Sequence, residues 1–265
     1  MLQMRSPTLM IAQREFIVRI KSRVFLSMFF SFVLLVTGLP WIIHISGTSP
    51  NSSAEAPIFN SNHVSILFLI YGITTSTATL LSYGLVEERT SSVIDVILSS
   101  TSPSNLLQGK ILGISALSIL EMSLLSILGL ISNSFASKTS EHLALKFLAL
   151  VGLFAIPCLV IYSYAVSYFS FGIRKIEDLG IIQLPLILTL GISMFAGIYS
   201  LAAPESQFSH VARYIPLLST FVAPGLIYGH HMPLFPAFLS CFAAFMAAGL
   251  IAKFSLIGFR FRAIK

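Results

Sequence analysis

Apolar residues come in long unbroken runs along this chain, and polar residues collect in the stretches between them. A bilayer core of about 30 Å takes about 20 apolar residues in helical form. Six runs meet that length: about 25–45, 65–85, 111–132, 149–171, 179–202 and 236–257. The pattern predicts an all-α polytopic membrane protein, six transmembrane helices in one domain over 1–265. Pro40, near the far end of the first run, is expected to kink or close its helix, and Trp41 suits the interface. A further apolar stretch, YIPLLSTFVAPGLIYGHHMPLFP, is too short and too interrupted by Pro216, Pro224 and Gly225 to span. It fits outer re-entrant helices over about 214–230, or a hydrophobic loop lying on the bundle.

Two segments outside the spans carry helical periodicity of their own. In TLMIAQREFIVRIKSRVF, Leu9, Ile17 and Ile20 share a face with Phe16 beside them, Arg14 and Lys21 point elsewhere, and Arg19 and Arg23 sit near the border. Such an amphipathic helix, about 7–23, lies well at an anionic lipid surface; a frayed basic terminus is the plainer alternative. In VEERTSSVIDVILSSTSPSNLLQGKILG, residues 86–113, Val93, Ile94, Ile97 and Leu98 form a stripe edged by Asp95 and Ser99. That makes a short helix over about 91–99, interrupted at Ser102-Pro103 and restarted at Leu106-Leu107. Periodicity fits a helix docked in a partner's groove and an unpartnered surface connector equally well.

Charge gives the orientation. The 265 residues hold 16 basic and 10 acidic side chains, a formal +6, against 55% hydrophobic residues. A soluble domain carries roughly a quarter charged residues, so an ordinary soluble enzyme is excluded. Disorder is excluded by the abundant apolar surface, and nucleic-acid binding by basic residues that punctuate apolar runs rather than cluster. Thirteen of the sixteen basic residues fall in the N-terminal segment, the connections after the second and fourth spans, and the C-terminal end. The positive-inside rule then places both termini in the cytoplasm. The outer stretches 46–64 and 133–148 leave no room for a substantial domain, although Asn51-Ser52-Ser53 is formally a glycosylation sequon. Six charges precede the first run and no A-x-A-like site follows it, so that run reads as a retained anchor rather than a cleaved signal. Cys158 and Cys241 lie inside apolar runs and read as packing residues.

Residues 86–113 resemble the characteristic segment of the ABC-2 type permeases, especially the sodium-efflux (NatB-like) branch. The matching residues are Glu87, Glu88, Arg89, Ile94, Asp95, Val96, Leu98, Ser99, Ser100, Pro103, Leu106, Leu107, Gly109, Lys110 and Gly113. LMIAQREFIVRIKSRVFLSM is similar to that family's entrance helix, YIPLLSTFVAPG to its outer segment, and FRFRAIK to its basic exit. The chain departs from the branch in two places. Residues 46–64 replace a large extracytoplasmic insert, and Gly225 follows Pro224 where an Arg is common. It is the compact form that the resemblance identifies.

The resemblance implies a transmembrane permease subunit of an ATP-binding cassette exporter in the cell membrane. Its implied partners are two ABC ATP-binding subunits, a second permease copy or a paralogous permease, and membrane lipids. The coupling helix would be 91–99, with Glu87, Glu88, Arg89, Val93, Ile94, Asp95, Ile97 and Leu98 facing the ATPase. Pro216, Ser219 and Pro224 would form the outer gate. No cofactor is expected on this chain, which has no GxxxxGK[ST]; ATP and Mg belong on the partner subunits.

Some residues admit two readings. Glu121 is the sole acid well inside a span, so it either serves the pathway or is a structural carboxyl, paired within the bundle or protonated. Thr74 to Thr79 offer hydroxyls that also suit close helix packing. Glu87, Glu88 and Arg89 fit a solvated interfacial cluster as well as a coupling role. His210, His230 and His231 lie outside without a clear metal set. Competing functions are a non-transporting membrane anchor or assembly protein, an ATP-independent secondary transporter and an intramembrane enzyme.

Overall fold

The computed structural model describes residues 7–47, 61–91, 101–136, 141–170, 172–173, 175–228 and 231–263. Its helices are α1 (Pro7–Ile20), α2 (Arg23–Gly47), α3 (Ser61–Thr90), α4 (Pro103–Ala136), α5 (Glu141–Ser170), α6 (Leu179–Ala202), α7 (Gln207–Ala212), α8 (Pro216–Tyr228) and α9 (Leu234–Ala263). A 3-10 turn, Ile176–Asp178, leads into α6. Among the described residues five helices are long and apolar enough to cross a membrane, or six if α1 and α2, bent by 65° at their junction, count as one broken span. The protein is an all-α, multi-pass membrane protein. The first predicted span is α2, which runs straight through Pro40 to Gly47, so the proline does not close it. The third begins earlier than its apolar run. Pro103 occupies the first helical turn, where its missing N–H costs nothing, and the Asn105 N–H reaches Ser102 Oγ at 3.4 Å.

At the centre is α3, packed against α2, α4, α5, α6 and α8. Its sequence explains the position. Without a hydrophobic drive between helices in lipid, close packing of small residues holds them together, and α3 carries GITTSTATLLSYG over 72–84. Thr74, Thr75 and Thr77 return their hydroxyls to the carbonyls of Ile70, Tyr71 and Ile73, at 2.7 Å each. The hydroxyls are thereby satisfied within the helix and the surface left is small. By contrast α6 and α9 expose broad apolar faces, including Ile181, Leu188, Ile192 and Phe195 on α6 and Phe235, Phe238, Phe242 and Phe254 on α9. On a membrane helix such a face needs no protein partner, because lipid tails are as apolar as the side chains.

Helix α8 is too short to cross, about 20 Å at 1.5 Å per residue. It nevertheless sits inside the bundle among α3, α5, α6 and α9, with Phe221, Val222, Ala223 and Leu226 buried. The backbone of Phe221 approaches Gly197 of α6 beside Leu67 of α3. Leu67 and Glu88 are 21 residues apart on α3, about 32 Å, so α8 and α1 occupy opposite ends of the molecule. The apolar core divides accordingly. One cluster joins Leu67, Ile70, Phe154 and Phe221, and a second joins Phe25, Leu81, Leu85, Leu107 and Ile111 at the α1 end.

Candidate functional site

Helix α1 docks by a face that only partly overlaps the one its hydrophobicity favoured. Leu9 and Ile17 are exposed, whereas Ile11, Phe16 and Ile20 pack on the core and Glu15 is buried. The docking residues Thr8, Ile11, Ala12 and Glu15 follow helical spacing and lie over two glycines of α4. A β-carbon built at Gly109 would stand 2.8 Å from Ile11 Cβ and 2.9 Å from the Thr8 carbonyl oxygen. One at Gly113 would stand 2.5 Å from the Ala12 carbonyl oxygen and 2.9 Å from Glu15 Cβ. Gly-x-x-x-Gly spacing puts both glycines on one face and lets the two backbones touch.

Between those glycines sits Lys110, fully buried at 0% exposure. Its ammonium has three donors, and three acceptors surround it: Glu88 Oε1 at 3.0 Å, Glu15 Oε1 at 3.2 Å and the Gly84 carbonyl oxygen at 3.2 Å. Glu15 Oε2 faces Arg19 Nε at 3.5 Å, and Arg19 Nη2 faces Glu87 Oε2 at 3.5 Å. Four of these groups form an inner quartet of two acids and two bases, while Glu87 stands at the rim with 66% of its side chain exposed. Buried charges persist in an apolar setting when each is paired. A β-carbon at Gly84 would lie 2.5 Å from Arg19 Nη2, the far end of a flexible side chain.

The network ties α1, the end of α3 and the start of α4 into one unit, and the segment between α3 and α4 leaves from it. Of the residues singled out in the sequence, Glu87 and Glu88 belong to it and half-buried Arg89 follows them. Glu88 is not a solvated interfacial group. Val93, Ile94, Asp95, Ile97 and Leu98 lie outside the described residues. Glu15, Arg19 and Lys110 carry the centre of the network; the sequence placed Lys110 in the family-like segment on the partner side, and gave Glu15 and Arg19 no site role. Their signal was a lone acid in a basic amphipathic helix and a lysine flanked by two glycines.

Glu121 lies about 16 Å farther along α4 than Lys110, by eleven residues of helical rise, and is buried at 1% exposure. Ser76 Oγ donates to its Oε1 at 3.4 Å and stands 3.7 Å from Met28 Sδ of α2. One turn away, Thr77 Oγ1 and Ser118 Oγ are 2.6 Å apart. At the opposite end of the bundle, Pro216 begins α8, the hydroxyl of buried Ser219 reaches the Pro216 carbonyl oxygen at 3.1 Å, and Pro224 lies within the helix. His210 Nε2 stands 3.8 Å from exposed Glu205 Oε2. Among the described residues no group of three His, Cys, Asp or Glu side chains is placed to hold a metal ion.

Two curated relatives are similar over much of the chain. An uncharacterized protein of Methanocaldococcus jannaschii is 25% identical over 197 residues, 73% of this chain and 47% of that protein. The uncharacterized protein YhaP of Bacillus subtilis is 23% identical over 172 residues, 59% of this chain and 40% of that protein. The matched regions thus take in less than half the length of either relative. Residues 55–254 match the model of the ABC-2 family transporter protein, a stretch that includes α3 with Glu87 and Glu88, Lys110 on α4, Glu121 and the buried α8. On that match, over well more than half its length, the chain belongs to the ABC-2 family of membrane transporters.

Proposed function

We propose that the chain is the permease subunit of an ATP-driven exporter, a compact relative of the NatB-like branch, and that the segment after α3 couples it to separate ATPase subunits. The observation that carries this reading is the buried ion network at the two roots of that segment. Lys110 at the start of α4 is bonded to Glu88 at the end of α3 and to Glu15 of α1. A push on residues 91–102 would then reach α1, α3 and α4 as one body rather than dissipate in a soft loop. In this reading both termini and the network lie in the cytoplasm. Val93, Ile94, Asp95, Ile97 and Leu98 present a short helix to the ATPase, with Glu87, Glu88 and Arg89 behind it. ATP and Mg are held by two ABC ATP-binding subunits, and a second permease, identical or paralogous, completes the pathway. Helix α8 is re-entrant from the outer side, and Pro216, Ser219 and Pro224 close the path there until the bundle shifts between its two arrangements.

The test is copurification in mild detergent with mass spectrometry, repeated for Asp95→Ala and Ile97→Ala. An ATPase subunit is expected with the unaltered protein. Each substitution should reduce its recovery roughly tenfold, the effect of losing about 1.4 kcal/mol at a contact. An ATPase that never copurifies would favour an anchor or a secondary transporter. Normal recovery and normal coupled ATP turnover in both variants would remove the coupling role from this helix.

A further inference from the structure

Glu121 has chemistry that the ion network does not use. Its Oε1 takes one weak hydrogen bond from Ser76, and its Oε2, also buried, has no hydrogen-bond partner. Helices α1, α2, α3, α5 and α9 pack against α4, and among the described side chains none of their charged groups pairs with Glu121. On α1, Glu15 and Arg19 belong to the network, and Arg14 is exposed. Arg23 stands at the foot of α2, whose described side chains beyond it are uncharged. On α3, Glu87, Glu88 and Arg89 stand at the network end. Tyr71 of α3 is half-buried and Tyr83 exposed; on α5 Cys158 faces Thr74, Tyr162 is buried and Tyr164 and Tyr168 are half-buried; on α9 Cys241 is half-buried and Lys253 exposed. Among the described residues no Lys, Arg or His comes within ion-pair distance of Glu121. Its 1% exposure leaves it almost no surface open to solvent. A carboxylate in that setting lacks what keeps a buried charge tolerable, whereas a carboxylic acid sits there without a charge to offset.

One face of α2 packs along α3 and α4 on either side of this group. Met28 stands at Ser76, the Phe32 ring lies where a Gly72 side chain would be, and Val36 does the same at Gly129. The opposite face of α2, with Leu26, Phe30 and Leu34, is exposed. At its foot the chain breaks between Ile20 and Arg23 and turns by 65° into α1, which the ion network holds in place. A helix packed on one side and hinged at one end can leave while its neighbours stay. We propose that Glu121 is a proton-binding site of the membrane interior, loaded while α2 covers it and emptied when α2 moves off α3 and α4. Departure admits water, the acid ionises, and the proton passes to that water. Return of α2 requires the proton back. Protonation therefore holds this interface closed, and raising the pH favours its opening, whatever energy source drives the protein.

Infrared spectroscopy of the full chain in lipid nanodiscs tests the first half. The wild type should show a protonated-carboxyl band at neutral pH that shifts in deuterium oxide and is lost in Glu121→Gln. In Ser76→Ala the band should persist at higher frequency, having lost its hydrogen bond, and this variant keeps the carboxyl itself in place. Spin labels at exposed Ser31 of α2 and Ser123 of α4, with Cys158 and Cys241 replaced, test the second half. The distance between them should broaden with rising pH as the band disappears, and should ignore pH in Glu121→Gln. Identical wild-type and Glu121→Gln spectra, or a distance that responds to pH equally in both, overturns the proposal.

Discussion

Lys110→Met is expected to lower the thermal unfolding temperature of the detergent-solubilised protein more than any other single uncharged replacement at the α1 end. Methionine fills the space of the lysine stem but leaves Glu15 and Glu88 facing each other in a site that admits almost no water. Removing one partner of a buried ion pair typically costs about 3–5 kcal/mol, a large share of a total stability of about 5–15 kcal/mol. The network need not add much net stability over a well-packed apolar cluster, since desolvation offsets most of the attraction. Its consequence is that none of the buried Lys110, Glu15 and Glu88 can be lost alone.

That asymmetry makes the prediction specific. Adding Glu15→Gln and Glu88→Gln to Lys110→Met should recover part of the lost stability, because it removes the uncompensated charges. The same two changes made in the presence of Lys110 should destabilise, because they strand the ammonium. Lys110→Arg should fail as well: a planar guanidinium cannot point three donors at acceptors arranged around a compact ammonium. Unfolding followed by size-exclusion retention after heating reads all of these. A Lys110→Met protein that melts with the wild type would mean the three-acceptor site does not form.

The chain announced its membrane class and its helices through simple periodicity. Runs of 20 apolar residues have few alternatives in water or lipid, and over the described residues each of the six lies in a helix. Even the short α8 was visible as an apolar stretch broken by prolines. The network was legible only in part. Reading the basic residues by side put Glu87, Glu88 and Lys110 at one end of the protein, but not in contact. Convergence of Glu15, Glu88 and Lys110 joins positions 95 and 22 residues apart and depends on which face of α1 turns inward. Hydrophobicity favoured the face of Leu9, Ile17 and Ile20 with Phe16 beside it; Phe16 and Ile20 do pack, yet backbone contact at Gly109 and Gly113 together with ion pairing turned Ala12 and Glu15 inward and left Leu9 and Ile17 exposed. A membrane environment permits that arrangement, since lipid covers an exposed Leu9 as well as protein would. The Glu121 carboxyl stood out as a lone intramembrane acid, whereas its cover by α2 needed the structure.

A single methyl group at Gly113 is expected to release α1, and the same methyl at Gly84 is not. Both glycines lie inside helices, where Gly→Ala by itself gains about 1 kcal/mol. At Gly84 the nearest obstacle is Arg19 Nη2 at 2.5 Å, the far end of a flexible side chain. It can swing away at the expense of a partly exposed contact to Glu87, worth about 0–1 kcal/mol, so Gly84→Ala should be close to neutral. At Gly113 the obstacle is the backbone carbonyl of Ala12 at 2.5 Å, with Glu15 Cβ behind it at 2.9 Å. Neither can rotate aside, and overpacking of this kind costs about 1–3 kcal/mol. Lifting α1 also pulls Glu15 from Lys110, so the steric cost and the ion-pair cost arrive together and exceed the propensity gain. Amide hydrogen exchange across residues 7–20 separates the two outcomes. It should accelerate at least tenfold in Gly113→Ala and stay at the wild-type rate in Gly84→Ala. Equal protection of α1 in both variants would show that the helix is not seated on the glycines, and the network would then need another anchor for Glu15.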